Sequence, residues 1–242
     1  MSELIDIDYP ELSDRTIEAK AQQLIEDFSA HMGMQVGVPM PVEVIAEMYL
    51  NYQLEFVDSG LFSDPDYLGG IVFDDRVIKI SSYVEAHEGR YNFTVAHEIG
   101  HHVLHREFYL DHRNATTDDI VCREVGDKPL VEHQADRFAA ALLMPEQLVR
   151  DTYMQVTGSS DPQRPSSPQA ARAMAASVAL EGGFSNVSNT AMVNRLIDLS
   201  LLQGTRYQAG TSQDFYRRTQ RGAWTLRKAV RWTLNRLLRP SK

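Results

Sequence analysis

The stretch Tyr91–His105, YNFTVAHEIGHHVLH, decides how this 242-residue chain is read. Phe93, Ala96, Ile99, Gly100, Val103 and Leu104 recur with a period near 3.6, which predicts an amphipathic helix from Asn92, with Asn92 itself able to cap the first orphan N–H groups. Within it, His97-Glu98-Ile99-Gly100-His101 has the form H-E-x-x-H. Residues i and i+4 share one face of a helix. His97 and His101 can therefore point both imidazoles at one Zn2+, while Glu98 turns toward the water that such a metal activates. The string is short enough to arise by chance, and the bland alternative is two surface histidines. Its setting on a helix with an apolar opposite face gives it weight.

A catalytic zinc usually has three protein ligands and leaves a fourth position open. His105 is tempting, yet it lies eight residues beyond His97, about 12 Å along the axis, too far to share one ion with both other histidines. It reads as a helix-end side chain. The spacing H-E-x-x-H-x-x-G-x-x-H is not met, because Leu104 and Glu107 occupy the required places. Glu132 is the better third ligand. Val131, Ala135, Phe138, Ala139 and Leu142 form the apolar stripe of a following helix, ended by Pro145, and that stripe would pack Glu132 against the first helix. Asp136, one turn later, can hold a ligand histidine by its second ring N–H. The alternative for Glu132 and Asp136 is a solvated acidic face. Glu124, Asp111, His112 and His133 are fallback ligands, and none belongs to an equally regular pair.

Working outward, Ile17, Ala21, Leu24, Ile25 and Phe28 predict a first helix behind Ser13 and Asp14. A second follows Pro39 and Pro41 through Val44, Ile45, Met48 and Tyr49, and the chain then turns extended at Leu54, Phe56 and Val57. Ile71–Phe73 and Val77–Ile80 flank Asp74 and Asp75 as a hairpin. Residues 109–129 show no clear periodicity. Gly158–Pro168, GSSDPQRPSSP, is a linker by composition, and two short helical patterns follow it, Ala170–Leu180 and Ser188–Leu202, joined at Gly182 and Gly183. The fold class expected is α+β: a minimal zincin-like metallopeptidase core over 1–157, a short helix-turn-helix-like helical segment over 168–204, and a basic amphipathic C-terminal helix over 213–242.

The whole chain is 43% hydrophobic with a net charge of -9, an ordinary globular composition. Its longest apolar run, Phe138–Met144, is far short of the roughly 20 residues a membrane span needs. The first residues carry acids where an export signal carries basic and apolar stretches, and Cys122 is the single cysteine, so a reducing, cytoplasmic location is expected. The net charge conceals a split. After Gly204 there are ten Lys or Arg against one Asp, whereas the preceding residues are strongly acidic. Arg217, Arg221, Lys228 and Arg231 gather opposite an apolar face of Ala223, Leu226, Val230, Leu234 and Leu237. Such a helix suits contact with nucleic acid, an anionic membrane or a partner, or simply packs back on the acidic body.

The blocks YNFTVAHEIGHHVLH and VEHQADRFAAALLMP resemble the ImmA/IrrE family of bacterial metallopeptidases. The resemblance extends to MPVEVIAEMYLNYQLEF, LGGIVFDDRVIKI and the helical pair ending NRLIDLSLL, covering most of residues 14–203, and stops short of the basic tail. It implies that His97, His101 and Glu132 ligate one Zn2+, that Glu98 is the general base, and that Asp136 fills a place where the family has Asn or Asp. It also implies a protein substrate, a helix-turn-helix repressor whose cleavage switches on stress, mobile-element or phage genes. An extended substrate is expected to add to an edge of the hairpin. The runner-up reading is a regulatory protein- or DNA-binding module with a structural metal site. Tyr83, Tyr91, His112 and Tyr207 are candidate oxyanion donors, none of them assigned.

Overall fold

The computed structural model describes residues 9–58, 67–112, 120–123 and 130–203. The basic segment with Arg217, Arg221, Lys228 and Arg231 lies outside them, as do Glu124 and Tyr207. The fold is α+β, with seven helices and one small sheet among the described residues.

Helix α1 spans Asp14–Met32. The Ser13 hydroxyl accepts from the Thr16 N–H and so satisfies one of the donors a helix start leaves bare. Ile17, Ala21, Leu24, Ile25 and Phe28 are its buried face, the stripe the sequence predicts. Helix α2, Val42–Val44, runs into a π-turn over Ile45–Tyr49, and strand β1 follows at Gln53–Val57. Strands β2 (Tyr67–Val72) and β3 (Val77–Ser81) form the predicted antiparallel hairpin, with Ile71 opposite Ile78.

The sheet has the order β1-β3-β2-β4, where β4 is Ile120–Arg123. Strand β1 pairs parallel with β3, and β4 pairs antiparallel with β2. Both outer sides of the hairpin are thus occupied. The expectation that a substrate strand joins an edge of the hairpin is corrected here, because the sheet's edges are β1 and β4. Strand β4 sits where the sequence shows no periodicity, since four residues are too few to establish alternation.

Helix α3 runs from Glu88 to His112 and α4 from Leu130 to Leu143. The start of α3 lies a turn before the predicted one. Asn92 is inside the helix, where its side-chain amide donates to the Glu88 carbonyl, so it is not the cap. The helix also continues past His105, which is buried rather than terminal. Pro145 ends α4 and precedes α5, Glu146–Thr157, a helix the sequence reading did not separate.

Beyond it, the stretch read as a linker is pinned. The buried Tyr153 hydroxyl donates to the Asp161 carbonyl and accepts from the Gln163 N–H, while Gln163 bridges Leu202. Its Ser-Gly-Pro composition reflects turns with satisfied backbone groups, not slack. Helices α6 (Pro168–Glu181) and α7 (Asn189–Asp198) start at Ser167 and Ser188, whose hydroxyls accept from the N–H groups of Ala170 and Ala191. Their apolar faces, Ala171, Ala175, Val178, Met192, Val193 and Leu196, join the main core. No helix of the described residues is long and apolar enough to cross a membrane.

Candidate metal centre

The site is built where α3 and α4 pack. Gly100, inside the motif, makes the approach close: a Cβ there would lie 3.2 Å from Ala135 Cα, the Ala135 carbonyl oxygen and Phe138 Cδ1. Any side chain at position 100 would hold the helices apart. Without one, Glu132 on α4 comes beside both motif histidines.

His97 Nε2 and His101 Nε2 are 3.0 Å apart. Glu132 completes a triangle, with Oε2 3.3 Å from His97 Nε2 and Oε1 3.3 Å from His101 Nε2. All three side chains are buried. Two ligands at 2.0–2.1 Å from a tetrahedral ion are about 3.3 Å apart, so these separations suit a shared cation. The three residues form a group able to hold a metal ion. Asp136 Oδ1 lies 3.0 Å from His97 Nδ1, where the carboxylate accepts the ring N–H and leaves the Nε2 lone pair turned inward. The reach of His97, His101, Glu132 and Asp136 into one place is what the helical spacing predicts.

Electrostatics separate the two acids. Burial pushes the Glu98 carboxyl up to about 8; the nearby Glu132 adds to the rise and His97 opposes it. Both Glu98 oxygens are buried with no hydrogen-bond partner among the described residues, as is Glu132 Oε2. For Glu132 burial also pushes upward, but His101 and His97 overcome it and hold the carboxyl well below its ordinary range. Burial lowers His101, with Glu132 opposing. These polar atoms cost stability unless a charged ligand answers them. The donor set therefore fits a divalent cation.

Strand β2 forms the wall over Glu98. A Cβ on Gly69 would lie 2.7 Å from Glu98 Oε1 and 2.7 Å from Thr94 Cγ2. The sequence reading passed over this residue, and a lone glycine in a strand gives little signal by itself. It also passed over Gln134 and misplaced His105. His105 Nδ1 lies 3.1 Å from His101 Nδ1, its Nε2 lies 2.9 Å from Gln134 Oε1, and burial pushes it down to about 3, with His101 adding to the fall. The regular spacing 97, 101, 105 was the available sign that His105 shares the motif's face.

Other candidates are elsewhere. His102, next in sequence to His101, lies on another face of α3, with Nδ1 2.9 Å from the Tyr52 hydroxyl. His133 and Asp111 are exposed. Tyr91 is buried and stacks on Phe56 at 5.8 Å. The side chain of His112 falls outside the described residues.

A buried His-His-Glu donor set lies beside a glutamate that has no hydrogen-bond partner among the described residues. Residues 61–156 match the family model described as Peptidase_M78, the IrrE N-terminal-like domain, so this region is similar to a metallopeptidase domain. No curated protein is matched by the chain.

Proposed function

We propose that the chain is a zinc-dependent endopeptidase in which His97, His101 and Glu132 hold one Zn2+ and Glu98 is the general base. The observation that carries this reading is the convergence of three donor groups next to a buried carboxyl that has no hydrogen-bond partner among the described residues. A metal site serving structure alone normally has four protein ligands, often cysteines, and needs no such neighbour. The family match supports zinc as the ion.

Zinc bound there would supply a Lewis acid that polarises the scissile carbonyl and stabilises its developing negative charge. Glu98 takes the proton of the attacking water and returns it to the leaving amine. Its position on the HExxH helix places it one residue from His97, and the strand with Gly69 limits how far the carboxyl can swing. Burial raises its proton affinity, and a divalent cation beside it would lower it again, which suits one carboxyl to both accept and donate a proton near neutral pH. Asp136 holds His97 in the tautomer whose Nε2 lone pair would be free to ligate a metal.

The substrate we propose is a protein, a helix-turn-helix repressor, cut in the cytoplasm to release stress, mobile-element or phage genes. The sequence resemblance is its support. Co-expression of the chain with a repressor encoded beside its gene, followed by metal analysis and detection of the cleaved fragment, tests it. A repressor left intact by the zinc-loaded protein would overturn the substrate, and a protein purified without stoichiometric zinc would overturn the site.

A further inference from the structure

One metal histidine, His97, is oriented by a carboxylate. The other, His101, has no carboxylate on its outward nitrogen among the described residues. Its Nδ1 faces Nδ1 of His105 at 3.1 Å, His105 Nε2 faces the side-chain oxygen of Gln134 at 2.9 Å, and the Gln134 amide nitrogen faces the Pro10 carbonyl at 3.0 Å. Each link has a fixed direction once the far end is known. A carbonyl can only accept, so the Gln134 NH2 must face Pro10 and its oxygen must face His105. That oxygen also can only accept, so His105 carries its proton on Nε2. A neutral imidazole has one N–H, and His105 Nδ1 is therefore a lone pair. His101 must then donate from Nδ1, which leaves its Nε2 lone pair pointing at His97 Nε2 and Glu132.

We infer that His105 and Gln134, anchored on the Pro10 carbonyl, are positioning residues that hold His101 in the tautomer able to ligate a metal. The carboxylate of Asp136 performs the same task for His97. With both ring protons committed outward, two lone pairs face each other across 3.0 Å, an arrangement that a cation satisfies. The relay is buried: His105 is 1% and Gln134 3% exposed. Its outer end is held by the segment before α1, where the Tyr9 ring stands edge-on to His105 with centroids 5.5 Å apart. The N-terminal stretch is thereby part of the support of the metal site. Polar residues at positions 105 and 134 of otherwise core-facing helix surfaces have this as their reason, since an isolated buried imidazole or amide costs free energy.

The consequence for metal binding rests on the zinc reading above, whereas the tautomers do not. Long-range proton–nitrogen NMR spectra of the metal-free protein labelled in histidine read the tautomers directly. The expected result is a protonated Nδ1 on His101, with Nε2 protonated and Nδ1 bare on His105. A bare Nδ1 on His101 facing a protonated Nδ1 on His105 overturns the relay. Gln134→Met, similar in shape but unable to accept, is expected to release both tautomers and to weaken Zn2+ binding, measured by chelator competition, by about 10- to 100-fold. Gln134→Glu restores binding, because its carboxyl offers His105 an acceptor in either protonation state. Unchanged Zn2+ affinity in Gln134→Met overturns the positioning role. Failure of the wild-type chain to bind Zn2+, with the tautomers as expected, overturns the metal reading and upholds the relay.

Discussion

The helix pairs α3–α4 and α6–α7 are both buried, and they spend burial differently. Between α3 and α4 lie His97, Glu98, His101, His105, Glu132 and Gln134, and both Glu98 oxygens have no hydrogen-bond partner among the described residues. Between α6, α7 and the core the contacts are almost all apolar. The buried ion there, Arg195, has its Nε on the Met144 carbonyl at 2.9 Å and both terminal nitrogens on the Glu18 carboxylate. One pair stores unsatisfied polarity for a ligand to answer, and in the other the Arg195 guanidinium is bonded at three nitrogens and ties α7 to α1 and to the end of α4. The difference teaches where activity and where stability reside. Substitutions in the first pair should change chemistry or metal binding, and substitutions in the second should change folding alone.

The sharpest break in that comparison is Glu98→Gln. We expect hydrolysis to fall about 10^2- to 10^4-fold with one zinc per chain retained, measured by fragment release and metal analysis; a variant that still turns over would remove Glu98 from the chemistry. Arg195→Leu attacks the other pair and leaves the half-buried Glu18 carboxylate and the Met144 carbonyl without their partner. A destabilisation of about 3 kcal/mol in denaturant titration is expected, with Zn2+ affinity per folded chain unchanged. A parallel loss of affinity would mean that the two pairs are not separable.

Asp136→Asn keeps the shape beside His97 but weakens the acceptor, and about 10- to 100-fold weaker zinc binding should follow in chelator competition. Gly69→Ala should lower kcat about tenfold with metal content near that of the wild type and a modest fall in thermal midpoint, because a new Cβ meets both the movable end of Glu98 and the stiff, buried Thr94 methyl. A drop in midpoint with kcat per folded chain unchanged would instead make Gly69 a packing residue. A further effect is electrostatic. The folded Glu98 carboxyl is raised to about 8 from 4.5, so between those values the unfolded chain ionises it while the folded chain does not, and its contribution to stability falls as pH rises. The stability advantage of metal-free Glu98→Gln over metal-free wild type should therefore grow from about pH 5 to about pH 8. A pH-independent difference would show that Glu98 is solvated.

Much of the site was legible because it is local. His97, Glu98 and His101 follow from helical spacing, and Glu132 with Asp136 follows from a second amphipathic stripe. The hairpin and the faces of α1 and α4 are likewise periodic patterns. Other features need partners distant in sequence. Strand β4 exists by pairing with β2, the segment 158–168 is ordered by Tyr153 and Leu202, and Asn92 loses its expected capping role because α3 begins at Glu88. The basic tail, which the charge split singled out, lies outside the described residues.

The sequence by itself determined which residue types stand at i, i+1 and i+4 of one helix, and hence the kind of chemistry on offer, because an α-helix fixes the relative directions of its own side chains. Tertiary structure decided how close α4 comes at Gly100, that β2 rests its Gly69 against Glu98, and that His105 is a buried link between His101 and Gln134 rather than a helix end. Those are distances between segments, and they are set by which surfaces pack rather than by any local periodicity.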